Sequence, residues 1–303
     1  MAPRVVAAWI LAVTLPHCVA QSKQISEAWK QEFPPGELLP YGPEKLQFGE
    51  LRVPTSSGKN PHPVVILVHG GCWANQIGNR DPRDTSFEPF RPLAVALHDA
   101  GVATWNIEYR RAGDAGGGWP GTYHDLSLAV DHLRKIAKSK RLDLRNVIVA
   151  GHSSGGHLAL WIAARHRIPA TSPVHTKNPL RVQAAVNLDG PPDAEAAVPF
   201  ERKFCPPPPA ITRFMGGSPA EVSERYRDGS ATSFLPIGVK QVILSAGLLN
   251  SSPTLARDYA AKAKGDEVRV EVLEKTGHFD LVFPSTPDGR KSLDVILQLI
   301  RKN

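Results

Sequence analysis

The stretch Val147-Ile148-Val149-Ala150-Gly151-His152-Ser153-Ser154-Gly155-Gly156-His157-Leu158-Ala159-Leu160-Trp161 decides the fold of this chain. An apolar run of strand length enters a G-x-S-x-G pattern, and an apolar segment of helical length leaves it. Small residues beside Ser153 permit a turn tight enough to hold the serine hydroxyl clear of the backbone. The N-terminus of the following helix favours negative charge developing there. A serine presented this way points to nucleophilic catalysis. His152 and His157 lie too close in sequence to reach its Oγ and read as packing residues.

Two further stretches share this grammar of strand followed by functional turn. After the apolar run Val64–Val68 comes His69-Gly70-Gly71-Cys72-Trp73. Small residues at the end of an early strand leave backbone N–H groups open to a substrate carbonyl. The N–H groups of Gly71, Cys72 and Ser154 are therefore the expected oxyanion donors. Late in the chain, Val268–Leu273 is followed by Thr276-Gly277-His278-Phe279. Imidazole titrates near neutrality and can carry a proton both ways, so His278 is the expected general base.

The acid is less direct. A carboxylate must hold the imidazole tautomer, and its usual place follows the strand before the histidine strand. That strand is Gln241–Ala246, and Gly247-Leu248-Leu249-Asn250 follows it with asparagine where an acid belongs. Asp258 falls inside the helix that starts near Pro253. Asn187-Leu188-Asp189-Gly190 ends the preceding strand at the same sheet edge, so Asp189 is the preferred acid. A triad completed by Asn250, by Asp280 or by no acid stays open.

Between these turns, strands alternate with amphipathic segments. Val102–Ile107 and Val182–Leu188 complete the strand set, and Leu46-Gln47-Phe48 with Leu51–Val53 reads as antiparallel edge strands. Helical periodicity covers Phe90–Ala100, Leu126–Lys138, Leu158–His166, Ala256–Ala263 and Leu293–Arg301. This alternation predicts an α/β fold, a mostly parallel sheet with helices on both faces. The proline-rich stretch from Pro191 to Pro209 and the stretch from Met215 to Pro236 break the pattern. Residues 191–236 are expected to form a small cap over the strand ends, where such sheets bind ligands.

Composition excludes other classes. The chain has 303 residues and is 42% hydrophobic, which intrinsic disorder does not tolerate. Its net charge of +7 comes from scattered lysines and arginines with no nucleic-acid-binding motif, so no nucleic-acid partner is expected. Arg4, the apolar run Val5–Leu15 and the small residue Ala20 read as a signal peptide over residues 1–20, with a single domain over 21–303. The run is too short to span a bilayer. The expectation is a secreted or periplasmic protein without stable membrane insertion. Cys72 and Cys205 could then pair in an oxidising compartment or stay as separate buried thiols.

The chain resembles the α/β-hydrolase superfamily, and within it the acetylesterase and feruloyl-esterase-like (BD-FAE-like) branch, which is also similar to kynurenine formamidase. The likeness rests on the oxyanion and nucleophile stretches above, with Trp105-Asn106-Ile107-Glu108-Tyr109-Arg110 and Gly116-Gly117-Gly118-Trp119-Pro120-Gly121. It continues through Gly277-His278-Phe279-Asp280-Leu281. The resemblance implies an eight-stranded sheet, a Ser–His–acid triad and hydrolysis of small-molecule carboxylic esters without cofactor or metal. Asn250 departs from the branch pattern, while an acid after the earlier strand is known in platelet-activating-factor acetylhydrolases. Two alternatives stand beside the esterase: an amide hydrolase of the kynurenine-formamidase kind, and an inactive α/β-hydrolase serving as a binding module.

Overall fold

The computed structural model describes residues 33–55, 60–79, 81–203, 205–247 and 252–301. The segment read as a signal peptide, residues 1–20, and Asn250 lie outside the described residues. In chain order come β1 (Glu37–Pro40), β2 (Phe48–Arg52), β3 (His62–Val68), α1 (Arg91–Asp99), β4 (Ala103–Ile107) and α2 (Gly121–Ile136). There follow β5 (Leu142–His152), α3 (Ser154–Ala164), β6 (Ala184–Leu188), α4 (Ala194–Ala197), α5 (Ala210–Met215) and α6 (Ser223–Gly229). The chain closes with β7 (Lys240–Ala246), α7 (Ser252–Lys262), β8 (Val268–Leu273) and α8 (Pro287–Arg301).

The strands form one eight-stranded sheet in the order β1-β2-β4-β3-β5-β6-β7-β8. β1, β2 and β4 pair antiparallel, and every pairing from β4 through β3 to β8 is parallel. Alternating residues of the central strands serve two cores. Val64, Ile66 and Val68 of β3 and Val147 and Val149 of β5 join Leu126, Leu133, Leu158 and Tyr259 from α2, α3 and α7. Val65, Leu67, Ile148 and Ala150 are equally buried but point the other way, toward the face where α8 packs on α1 and β5. Both faces are thus covered, which is why these strands read as continuous apolar runs.

The edge strands differ from the expectation. One strand, β2, spans Phe48–Arg52, and its antiparallel partner is Glu37–Pro40 rather than Leu46–Phe48. Glu50 and Arg52 hide β2 from hydropathy because they are buried as an ion pair, which Arg91 joins. Helices α2, α3, α7 and α8 each begin about a turn before their apolar periodicity, because their first turns carry small or polar residues.

Residues 191–236 contain α4, α5 and α6. Phe214, Met215 and Tyr226 of this segment are buried in the core shared with α2 and α3. Trp161 Nε1 donates to the Asp228 carbonyl at 2.9 Å, and Tyr123 Oη donates to the Gly229 carbonyl at 3.1 Å. Cys205 forms a disulfide with Cys72, with Cα atoms 5.9 Å apart, and so ties the segment to the loop after β3. Of the two states left open by the sequence, the structure has the bonded one.

Candidate active site

Parallel pairing brings the carboxyl ends of β3, β5, β6, β7 and β8 to one edge, and the chemistry-bearing turns follow four of these strands. Gly151 pairs with Asn187 and His152 with Leu188, so the turns carrying Ser153 and Asp189 start side by side. The Ser153 N–H donates to the Leu188 carbonyl at 2.9 Å.

Ser153 has φ 56° and ψ −128°, a strained conformation for a residue with a β-carbon. Packing on both sides enforces it. A β-carbon at Gly155 would strike the carbonyls of Val68 and His69, so only glycine lets α3 approach β3 this closely. A β-carbon at Gly70 would lie 2.8 Å from Ser153 Cβ, so the loop after β3 also comes close to the serine.

Asp189 crosses the end of β7 to reach the histidine. Its backbone takes φ 55°, and its N–H donates to the Leu244 carbonyl at 2.7 Å. Its Oδ1 accepts the Ala246 N–H at 2.8 Å and the Ser252 hydroxyl. Its Oδ2 lies 2.6 Å from His278 Nδ1, which donates to it. The carboxylate therefore lies over the end of β7 although the residue follows β6. Asp280 does not compete, since its Oδ2 accepts the Gly277 N–H and burial raises its carboxyl.

His278 loop geometry depends on His152, which sequence reasoning assigned only to packing. His152 Nε2 donates to the His278 carbonyl at 2.8 Å, and the two rings lie 4.4 Å apart. Burial, reinforced by His278, pushes His152 well below the usual imidazole range, so it stays neutral beside the candidate base. Ser252 was also missed. It lies 63 residues from Asp189, and nothing local marks it.

The loop after β3 is anchored from beneath. His69 is fully buried; its Nδ1 donates to the Gly70 carbonyl at 2.7 Å and its Nε2 to Glu108 Oε1 at 3.0 Å. Burial acts to raise Glu108, but the His69 and Arg111 charges outweigh it and hold the carboxyl below its usual range. Fixing the Gly70 carbonyl turns the N–H of Gly71, in the same peptide plane, the opposite way. Ser154 opens α3, so its N–H has no intrahelical acceptor. Trp73 Nε1 donates to His157 Nδ1 at 3.2 Å and secures the far end of the loop on α3.

Ser153, His278, Gly71 and Cys72 line one cleft of about 460 Å³. Its remaining wall includes Ile77, Asp84, Pro89, Phe90 and Phe279. The BD-FAE family model matches residues 50–247. The chain belongs to the BD-FAE family, an α/β-hydrolase family. In this BD-FAE chain the matched span holds the loop after β3, Ser153 and Asp189, while His278 follows it. No curated protein matches the sequence.

Solved structures of the same fold include esterases. A truncated carbohydrate esterase from gut microbiota superposes with a TM-score of 0.68 at 18% identity, over 89% of this chain and 97% of that one. Esterase B from Lactobacillus rhamnosis, solved with a tributyrin phosphonate inhibitor, gives 0.70 at 16% identity, over 94% and 93%. A bifunctional GH43-CE protein of Bacteroides eggerthii gives 0.66 at 20% identity over 86% of this chain. This BD-FAE chain spans only 37% of that larger protein.

Proposed function

We propose that this protein is an exported serine esterase that hydrolyses small carboxylic esters through an acyl-enzyme. The observation that carries the reading is the 2.6 Å bond to buried Asp189 Oδ2 from Nδ1 of His278, which lines the cleft together with Ser153. With its proton on Nδ1, the imidazole keeps Nε2 free to accept one. Ser153 Oγ attacks the acyl carbon and passes its proton to His278, and Asp189 stabilises the imidazolium. The oxyanion is held by the N–H groups of Gly71, Cys72 and Ser154. His278 returns the proton to the departing alcohol, and water activated by His278 then releases the acid. Membership of the BD-FAE family and the esterase neighbours support this reading, and the sequence of residues 1–20 supports export. The inactive-module alternative rested on Asn250, and the Asp189–His278 bond supports the esterase reading over it.

Purified protein should hydrolyse para-nitrophenyl acetate or butyrate. Ser153→Ala should lower kcat by about 10⁴ or more, and a fluorophosphonate probe should label the wild type but not the variant. A folded wild type with neither turnover nor labelling would overturn the proposal.

A further inference from the structure

A second pocket of about 280 Å³ is lined by Cys72 of the disulfide and by the residues that follow Cys205. Cys72 and Ile77 line both this pocket and the cleft that holds Ser153, so the two spaces adjoin at the loop after β3. Its outer wall is Pro206, Pro207 and Pro208, three rings without a backbone N–H donor. The charged residue of its lining is Arg213, on α5.

Arg213 is exposed; its backbone N–H donates to the Pro209 carbonyl at 3.2 Å, and its guanidinium has no hydrogen bond or ion pair among the described residues, although Asp114 and Glu201 belong to neighbouring segments. Those carboxylates are engaged elsewhere. Asp114 accepts from Arg111 and from Asn75 Nδ2, and Glu201 accepts the Ile211 N–H. The guanidinium lies over Gly113 beside Asn75: a β-carbon there would come 2.2 Å from Asn75 Oδ1 and 2.5 Å from Arg213 Nη2. A permanently charged planar group with its donors unspent, beside an apolar wall and one loop from the nucleophile, suits an anion carried on an organic arm.

Resting on the esterase reading above, we propose that this pocket is a subsite for a carboxylate-bearing arm of the ester, recognised by Arg213. A substrate whose carbonyl oxygen meets the Cys72 N–H reaches the subsite by passing Ile77. The carboxylate can sit on the acyl or the alcohol side, and the test separates the two.

The experiment compares matched esters: para-nitrophenyl hemiglutarate against pentanoate for the acyl arm, and meta-acetoxybenzoate against phenyl acetate for the alcohol arm. One charged ester should exceed its neutral partner at least tenfold in kcat/KM, about the effect of a charge-assisted hydrogen bond. Arg213→Gln should abolish that ratio through KM, and added salt should shrink it. No Arg213-dependent ratio in either pair overturns the subsite. A protein that hydrolyses none of the four esters overturns the esterase reading instead. The subsite is then decided by glutarate and benzoate, which should raise the thermal midpoint of the wild type but not of Arg213→Gln; no difference overturns it.

Discussion

Asp189 shows how much one residue can carry. A non-glycine residue at φ 55° costs about 1–3 kcal/mol. The conformation persists because its N–H and Oδ1 are both bonded to β7, which points Oδ2 at His278. Asp189→Asn keeps the size of the side chain but permits the wrong imidazole tautomer. It should lower kcat by about 10⁴ with little change in KM. Ser252→Ala removes one donor and leaves the Ala246 N–H in place, so its cost should be about tenfold at most. Steady-state kinetics on variants shown to be folded by near-UV circular dichroism check both. A variant order with Ser252→Ala the more damaging would reassign the acid.

Between elements, the tie from Trp73 to His157 joins the loop after β3 to α3. Burial pushes His157 down to about 4, against a partial upward pull from Asp193. The native state therefore holds it neutral, while the unfolded chain takes up a proton near 6.5. Its contribution to stability is complete above that pH and is lost as the pH falls from about 6.5 to 4, by about 3 kcal/mol. His157→Gln keeps an acceptor for Trp73 and does not titrate. Urea unfolding at pH 7 and pH 4 should show the advantage of wild type over this variant shrinking by roughly that amount. An advantage that stays constant would place the titration elsewhere. His152 shifts in the same direction, so the variant should keep some acid sensitivity.

At the scale of the whole molecule, the disulfide closes a separation of 133 residues and joins the oxyanion loop to the segment that carries Arg213. Cross-links over long loops contribute about 2–5 kcal/mol, chiefly by restricting the unfolded chain. Cys205→Ser should lower the urea midpoint accordingly. It should also lower kcat, because the same bond restrains Cys72 at φ 53°. Denatured, unreduced wild type should show no alkylation at Cys72 or Cys205 by peptide mapping; modified thiols there would refute the pairing in solution.

Strand alternation, the serine turn and the glycine-rich loop after β3 were legible because each depends on local rules. Continuous apolar runs mark strands buried on both faces, and Gly155 and Gly70 stand where no β-carbon fits. The sequence alone thus determined the α/β fold and pointed to Ser153, His278 and the oxyanion loop. The antiparallel edge was expected, but β2 was split between Leu46–Phe48 and Leu51–Val53 because the polar pair Glu50 and Arg52 is buried only once Arg91 arrives from α1, and β1 was not read. That the Asp189 carboxylate meets His278 could not be read along the chain, because it depends on the carboxylate overhanging the end of the neighbouring strand β7. His152 and Ser252 carry no local mark either, and their partners are 126 and 63 residues away. Local sterics write turns into sequence, whereas hydrogen bonds between turns of different strands exist only after the sheet brings those strands together.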